Sequence, residues 1–93
     1  MLFIEGETLT NGQDVVLESC YGLYFDESLT LVYTNDVFML FVDETLHSMT
    51  PVPEGFHPTS SYLANEHIVV EFYGLQQELW ISTKELSAVF YKV

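Results

Sequence analysis

Phe25 to Glu44 reads FDESLTLVYTNDVFMLFVDE, and the way this stretch is parsed decides the fold. Two apolar runs, Leu29 to Thr34 and Val37 to Val42, lie between polar breaks at Asp26-Glu27-Ser28, Asn35-Asp36 and Asp43-Glu44. The runs are too short for buried helices and are rich in β-branched and aromatic residues, and the breaks are made of turn formers, so the stretch predicts strands joined by tight turns. VFMLFV is apolar on both faces, which predicts an interior strand buried on two sides.

Working outward, Val15 to Phe25 predicts a long preceding strand with a bulge or bend at Gly22, so that 15 to 42 forms a three-stranded antiparallel meander. Before it, MLFIEGETL predicts one short strand, and the Asn11-Gly12 pair supplies the positive φ of a hairpin turn. After it, residues 47–61, HSMTPVPEGFHPTSS, hold all three prolines and predict a long loop. Ser60 and Ser61 are candidate caps for one helical turn over 62–66. Strands are predicted again at His67 to Tyr73, Glu78 to Ser82 and Ser87 to Val93. Ser82-Thr83-Lys84-Glu85 also fits a capping box, with Leu86, Val89, Phe90 and Val93 at helical spacing; one turn over 83–86 followed by a strand is the preferred reading. A faint echo links VVLESCYGL (15–23) to IVVEFYGL (68–75), consistent with a duplicated three-strand unit. The expected fold is therefore mainly β, an antiparallel meander sheet or small barrel of about six strands with at most one or two short helical turns.

Ninety-three residues predict a single domain, 1–93, with one modest core. An apolar fraction of 48% and an aromatic fraction of 15% exclude a disordered acidic tail. The lone Cys20, inside an apolar strand pattern, predicts a buried and inert thiol and a reducing compartment. No cationic leader and no run of 18 apolar residues is present, so the expected location is the cytoplasm, of a host cell if the protein is viral, with no membrane contact.

The chemistry-bearing residues are few. Lys84 and Lys92 are the only cations beside 14 Asp and Glu, and with no arginine and no glycine-rich strand-to-helix loop, phosphate and oxyanion chemistry have little to work with. Glu44-x-x-His47 and Glu54-x-x-His57 share a spacing that places metal ligands on one helical face, but the second lies between Pro53 and Pro58 and contains Gly55, which removes the helix. The expectation is no enzyme, no metal and no cofactor. Direct nucleic-acid binding is disfavoured because it needs the lysines and arginines that are missing.

What the composition does offer is a net charge of -12 on a chain whose folded radius of gyration is only about 12 Å. Self-repulsion on that scale costs stability, and adaptation to high salt usually comes with a leaner core than this one, so a positively charged partner is the favoured explanation. In the predicted meander, Asp26, Glu27, Asp43 and Glu44 meet at one end of the sheet, with Asp36 as a further turn carboxylate. They are the candidate partner-binding residues, and converting the four to amides is expected to leave the fold intact.

A small, strongly acidic, aromatic-rich chain with carboxylates mounted on strands and turns resembles the phage-encoded DNA mimics, such as the uracil-DNA glycosylase inhibitor and the anti-restriction proteins, and many anti-CRISPR inhibitors. The resemblance is one of overall character, without a motif match. It implies stoichiometric inhibition, in which the protein occupies the basic groove of a nucleic-acid-binding protein or enzyme. Two alternatives stand beside it. One is a structural module that assembles through VFMLFV and the aromatics Tyr21, Tyr24, Phe25, Tyr33, Phe38 and Phe41, as a homodimer or a subunit. The other is a small β-barrel with the aromatics lining a ligand pocket.

Overall fold

The computed structural model describes residues Met1–Val93 and contains strands and turns but no helix. No helix, therefore, is long and apolar enough to cross a membrane. The chain divides into two compact units, Met1–Val52 and Pro53–Val93.

In the first unit, β1 (Phe3–Glu5), β2 (Thr8–Thr10) and β3 (Val15–Glu18) form an antiparallel three-stranded sheet in chain order. β4 (Tyr21–Phe25), β5 (Leu29–Tyr33), β6 (Val37–Val42) and β7 (Thr45–Pro51) form a four-stranded meander. β6 is interior, as its doubly apolar sequence requires, and pairs with β5 and β7 on its two sides. On one face of the meander Val32 and Phe41 are buried with Leu9 of β2, Leu2 just before β1 and Cys20 between β3 and β4, and Ile4, Leu17, Phe25 and Met39 pack around them. On the other, Leu31, Phe38 and Leu40 are buried as well. Burying side chains of this size stabilises by roughly 1.5 to 3 kcal/mol each, so both faces of β5 and β6 contribute to holding the meander together.

The second unit is one meander, β8 (Pro58–Ala64), β9 (His67–Phe72), β10 (Gln77–Ser82) and β11 (Ala88–Lys92), in the order β11-β10-β9-β8. Ile68, Val70, Phe72, Leu79 and Ile81 are buried on one face. Phe56 closes over Phe72 and Phe90 with ring centroids 5.0 and 5.6 Å away, both edge to face.

Several expectations are corrected. The fold has eleven strands in three antiparallel sheets, and none of the sheets closes into a barrel. MLFIEGETL is a hairpin rather than one strand, because Gly6 takes φ 65° and turns the chain back on itself. Val15 to Phe25 is two strands, interrupted where Ser19 adopts φ 57° and the chain passes from the small sheet to the large one, tied there by the Cys20 N–H donating to the Glu7 carbonyl. The long loop over 47–61 is only 52–57. Pro51 and Pro58 sit at strand ends, where proline's missing donor costs no ladder bond. Residues 62–66 hold no helical turn: Tyr62 to Ala64 end β8, and Asn65-Glu66 make a two-residue hairpin loop with both residues at positive φ. VVLESCYGL straddles two strands whereas IVVEFYGL is a strand and a turn, so the echo marks no repeated unit.

Other features follow the sequence closely. Gly22 sits at a register shift in β4, and a side chain there would come within 2.5 Å of the Phe25 ring and 3.2 Å of Ile4. The Asn11 side chain accepts from the N–H groups of Gln13 and Asp14 at 2.9 and 2.8 Å, and Gly12 takes φ 96°. Over 83–86 the chain makes one turn, the N–H groups of Lys84 and Glu85 donating to the Ser82 hydroxyl, before entering β11.

Candidate functional site

The turns after β4 and β6 lie at the same end of the large sheet, and the Asp43 N–H donates to the Ser28 carbonyl at 2.8 Å. Asp26, Glu27, Asp43 and Glu44 are thereby gathered on two directly bonded loops. Asp36 is not among them. It sits in the turn between β5 and β6 at the opposite end, where its carbonyl accepts from the Val52 N–H at 2.9 Å.

The four carboxylates have different tasks. Asp26 holds its own turn: one oxygen accepts from the N–H groups of Ser28 and Leu29 at 2.8 and 2.7 Å, the other from the Tyr24 hydroxyl at 2.7 Å. Partial burial pushes its pKa up, but the hydrogen bonds from Leu29, Tyr24 and Ser28 outweigh that and hold the carboxyl below its ordinary range. The Tyr24 phenol, partly buried and beside that charge, is pushed up to about 12. Glu44 makes an ion pair with the Met1 amine at 2.9 Å. Glu27 and Asp43 are exposed, with no side-chain partner.

The hairpin loop itself is informative. Asp43 and Glu44 take φ 49° and 69°, the left-handed pair that usually selects Asn-Gly. Glutamate in this conformation costs on the order of 1 kcal/mol relative to glycine, so the loop carries charge where conformation alone would favour none. Asn65-Glu66 repeats the arrangement at φ 49° and 59°, with Glu66 paired to Lys84 at 3.2 Å.

Charge is distributed unevenly along the chain. Met1–Val52 carries Glu5, Glu7, Asp14, Glu18, Asp26, Glu27, Asp36, Asp43 and Glu44 and not one lysine or arginine. Its single ion pair is the one to the terminal amine.

The other sequence candidates are dispersed. His47 lies on β7 and His57 in the loop before β8, and nowhere do three or more His, Cys, Asp or Glu side chains converge as metal ligands. Cys20 is fully buried, and burial raises its thiol pKa, the reverse of nucleophile activation. Of the aromatic set on the large sheet, Phe38 and Phe41 are buried and only Tyr21 is exposed, its ring 5.3 Å from Tyr33.

A second group of residues, missed in the sequence, stands on the face of the second unit's sheet opposite to Leu79 and Ile81. Cross-strand pairing sets Val89, Trp80, Val69 and Tyr62 in one row, and Tyr91, Glu78, Glu71 and Ser60 in the next. The Trp80 ring lies 6.0 Å from Tyr91, nearly perpendicular to it, and 5.3 Å from His67. Glu78 accepts from the Trp80 indole N–H and from the Tyr62 hydroxyl, both at 3.2 Å, and Glu71 from the Ser60 hydroxyl at 2.9 Å. The signal was the Glu78-x-Trp80 alternation beside Tyr91 on the next strand, legible only once the register of β10 against β11 is known.

Comparison with known protein families, with curated proteins and with solved structures finds no match to this chain.

Proposed function

We propose that the protein is a non-enzymatic acidic inhibitor, a DNA mimic that occupies the basic nucleic-acid-binding surface of a partner protein, in the manner of anti-restriction and anti-CRISPR inhibitors. The observation that carries this reading is the unit Met1–Val52, with nine carboxylates and no lysine or arginine, in which two acidic turns are joined by a backbone hydrogen bond. Duplex DNA presents one negative charge per about 1.7 Å of axis, and a protein substitute needs its charges held on a rigid frame. Glu27 and Asp43 offer their charge outward, Glu44 shares its charge with the Met1 amine, and Asp26 secures the turn beneath them. The alternative, assembly through VFMLFV and its neighbouring aromatics, is less favoured because β6 is interior and only Tyr21 of those rings is exposed.

The test is capture of partners from a bacterial lysate on the immobilised protein at low and high salt. Capture that falls steeply with salt, competes with duplex DNA and weakens on the order of tenfold in a Glu27→Gln/Asp43→Asn/Glu44→Gln variant supports the proposal. Asparagine tolerates the left-handed conformation at position 43, so the loop is preserved. Salt-insensitive capture, or binding that duplex DNA does not displace, refutes it.

A further inference from the structure

Glu71 and Glu78 are directly opposite one another on β9 and β10, an arrangement of like charges that destabilises a sheet unless a cation lies between or above them. None of the protein's own cations does so. Lys84 is engaged by Glu66 at 3.2 Å, and Lys92, although it lines the same hollow as Glu78, forms no ion pair with either carboxylate. The two carboxylates are nevertheless held in fixed positions by donors from Trp80, Tyr62 and Ser60. The Tyr62 phenol is pushed up by desolvation and then by Glu78 and Glu71, which places it in the field of both.

Glu78 lines a concavity of about 500 Å³ together with Asn65, His67, Trp80, Tyr91 and Lys92, and Glu71 stands directly across from Glu78 on β9. Trp80 and Tyr91 meet there at 82°, so their rings present two walls of a corner. A cation set against the face of Trp or Tyr is attracted by the ring quadrupole, and a planar guanidinium can also accept stacking while its N–H fork bonds carboxylate oxygens.

We infer that the outward face of the β8–β11 sheet is a binding site for an arginine side chain of a protein partner, the guanidinium stacked in the Trp80–Tyr91 corner and hydrogen-bonded to Glu78 and Glu71. The site uses residues separate from the acidic turns, so it stands or falls independently of the DNA-mimic reading. The preference for arginine over lysine follows from the rings, since an ammonium gains the charge attraction without the stacking or the fork.

Trp80 is the protein's only tryptophan, and its fluorescence therefore reports from within the site. The experiment titrates the intact protein with acetylated, amidated tetra-arginine, with tetra-lysine and with the neutral tetra-citrulline peptide. The expected result is a saturable change in Trp80 emission with tetra-arginine, at least threefold tighter than tetra-lysine and absent with tetra-citrulline. A Glu71→Gln/Glu78→Gln variant, which keeps the side-chain shapes and one acceptor oxygen on each, with the Tyr62 hydroxyl free to accept from the new amide, is expected to bind at least tenfold more weakly, whereas Glu27→Gln/Asp43→Asn retains the emission change. Circular dichroism confirms that both variants keep the β spectrum. Equal binding of tetra-citrulline, loss of the signal in the Glu27→Gln/Asp43→Asn variant alone, or undiminished affinity in Glu71→Gln/Glu78→Gln overturns the inference.

Discussion

Replacing Asp26 separates a carboxylate that holds a turn from one that offers charge to a partner. Asp26→Ala removes the acceptor for two backbone N–H groups and for the Tyr24 hydroxyl. A side-chain acceptor for orphan N–H groups at a chain reversal is worth roughly 0.5 to 2 kcal/mol, and a part-buried phenol that loses its partner costs about 1 kcal/mol more. The expected loss is about 2 to 3 kcal/mol. Asp26→Asn keeps the oxygen facing Ser28 and Leu29 and lets the Tyr24 hydroxyl accept from the new amide, so it should cost about 1 kcal/mol. In urea unfolding followed by circular dichroism, with a slope of about 1 to 1.5 kcal/mol per molar for a chain of this size, the alanine variant should unfold about 2 M earlier than the parent and the asparagine variant less than 1 M earlier. The pH profile gives an independent check. The folded pKa of Asp26 is depressed, so its contribution is fully present above the unfolded value near 3.9 and is lost as pH falls through the lower folded value. The parent should lose stability over that acid window more steeply than Asp26→Asn. If alanine costs no more than asparagine, or the two acid profiles coincide, the carboxylate does not hold the turn.

Two further outcomes follow from the packing around β4. Gly22→Ala should destabilise by about 1 to 3 kcal/mol in the same assay, since the new methyl meets the Phe25 ring at 2.5 Å; a neutral result would mean that the ring swings aside at no cost. Spectrophotometric titration should show Tyr24 ionising near pH 12, with its stabilising contribution complete below pH 10 and lost as pH rises towards 12, and Asp26→Asn should bring that ionisation down by removing the neighbouring charge.

The acidic end of the large sheet was legible because it depends only on local rules. Short apolar runs separated by turn formers make antiparallel strands, and in a meander alternate turns share an end, so Asp26, Glu27, Asp43 and Glu44 could be placed together and Val37–Val42 in the interior. What those rules could not tell was the task of each carboxylate. That Asp26 faces inward to its turn while Glu27 faces out depends on side-chain geometry that residue type does not encode.

The sequence by itself determined the β character, the positions of most turns and the one-sided distribution of charge, because alternation, turn chemistry and composition are properties of residues near one another along the chain. Only the tertiary structure decided where apolar runs break, how strands group into sheets and which side chains meet across them. Ser19 leaves a run of apolar residues for a new sheet through one left-handed φ, and the prolines of 47–61 end strands rather than abolish them. Trp80, Tyr91, Glu78 and Glu71 come together through the register of three strands. Pairing between strands is a long-range choice, made by the burial of Ile68, Val70, Leu79 and Ile81 on the opposite face, and local sequence carries no record of it.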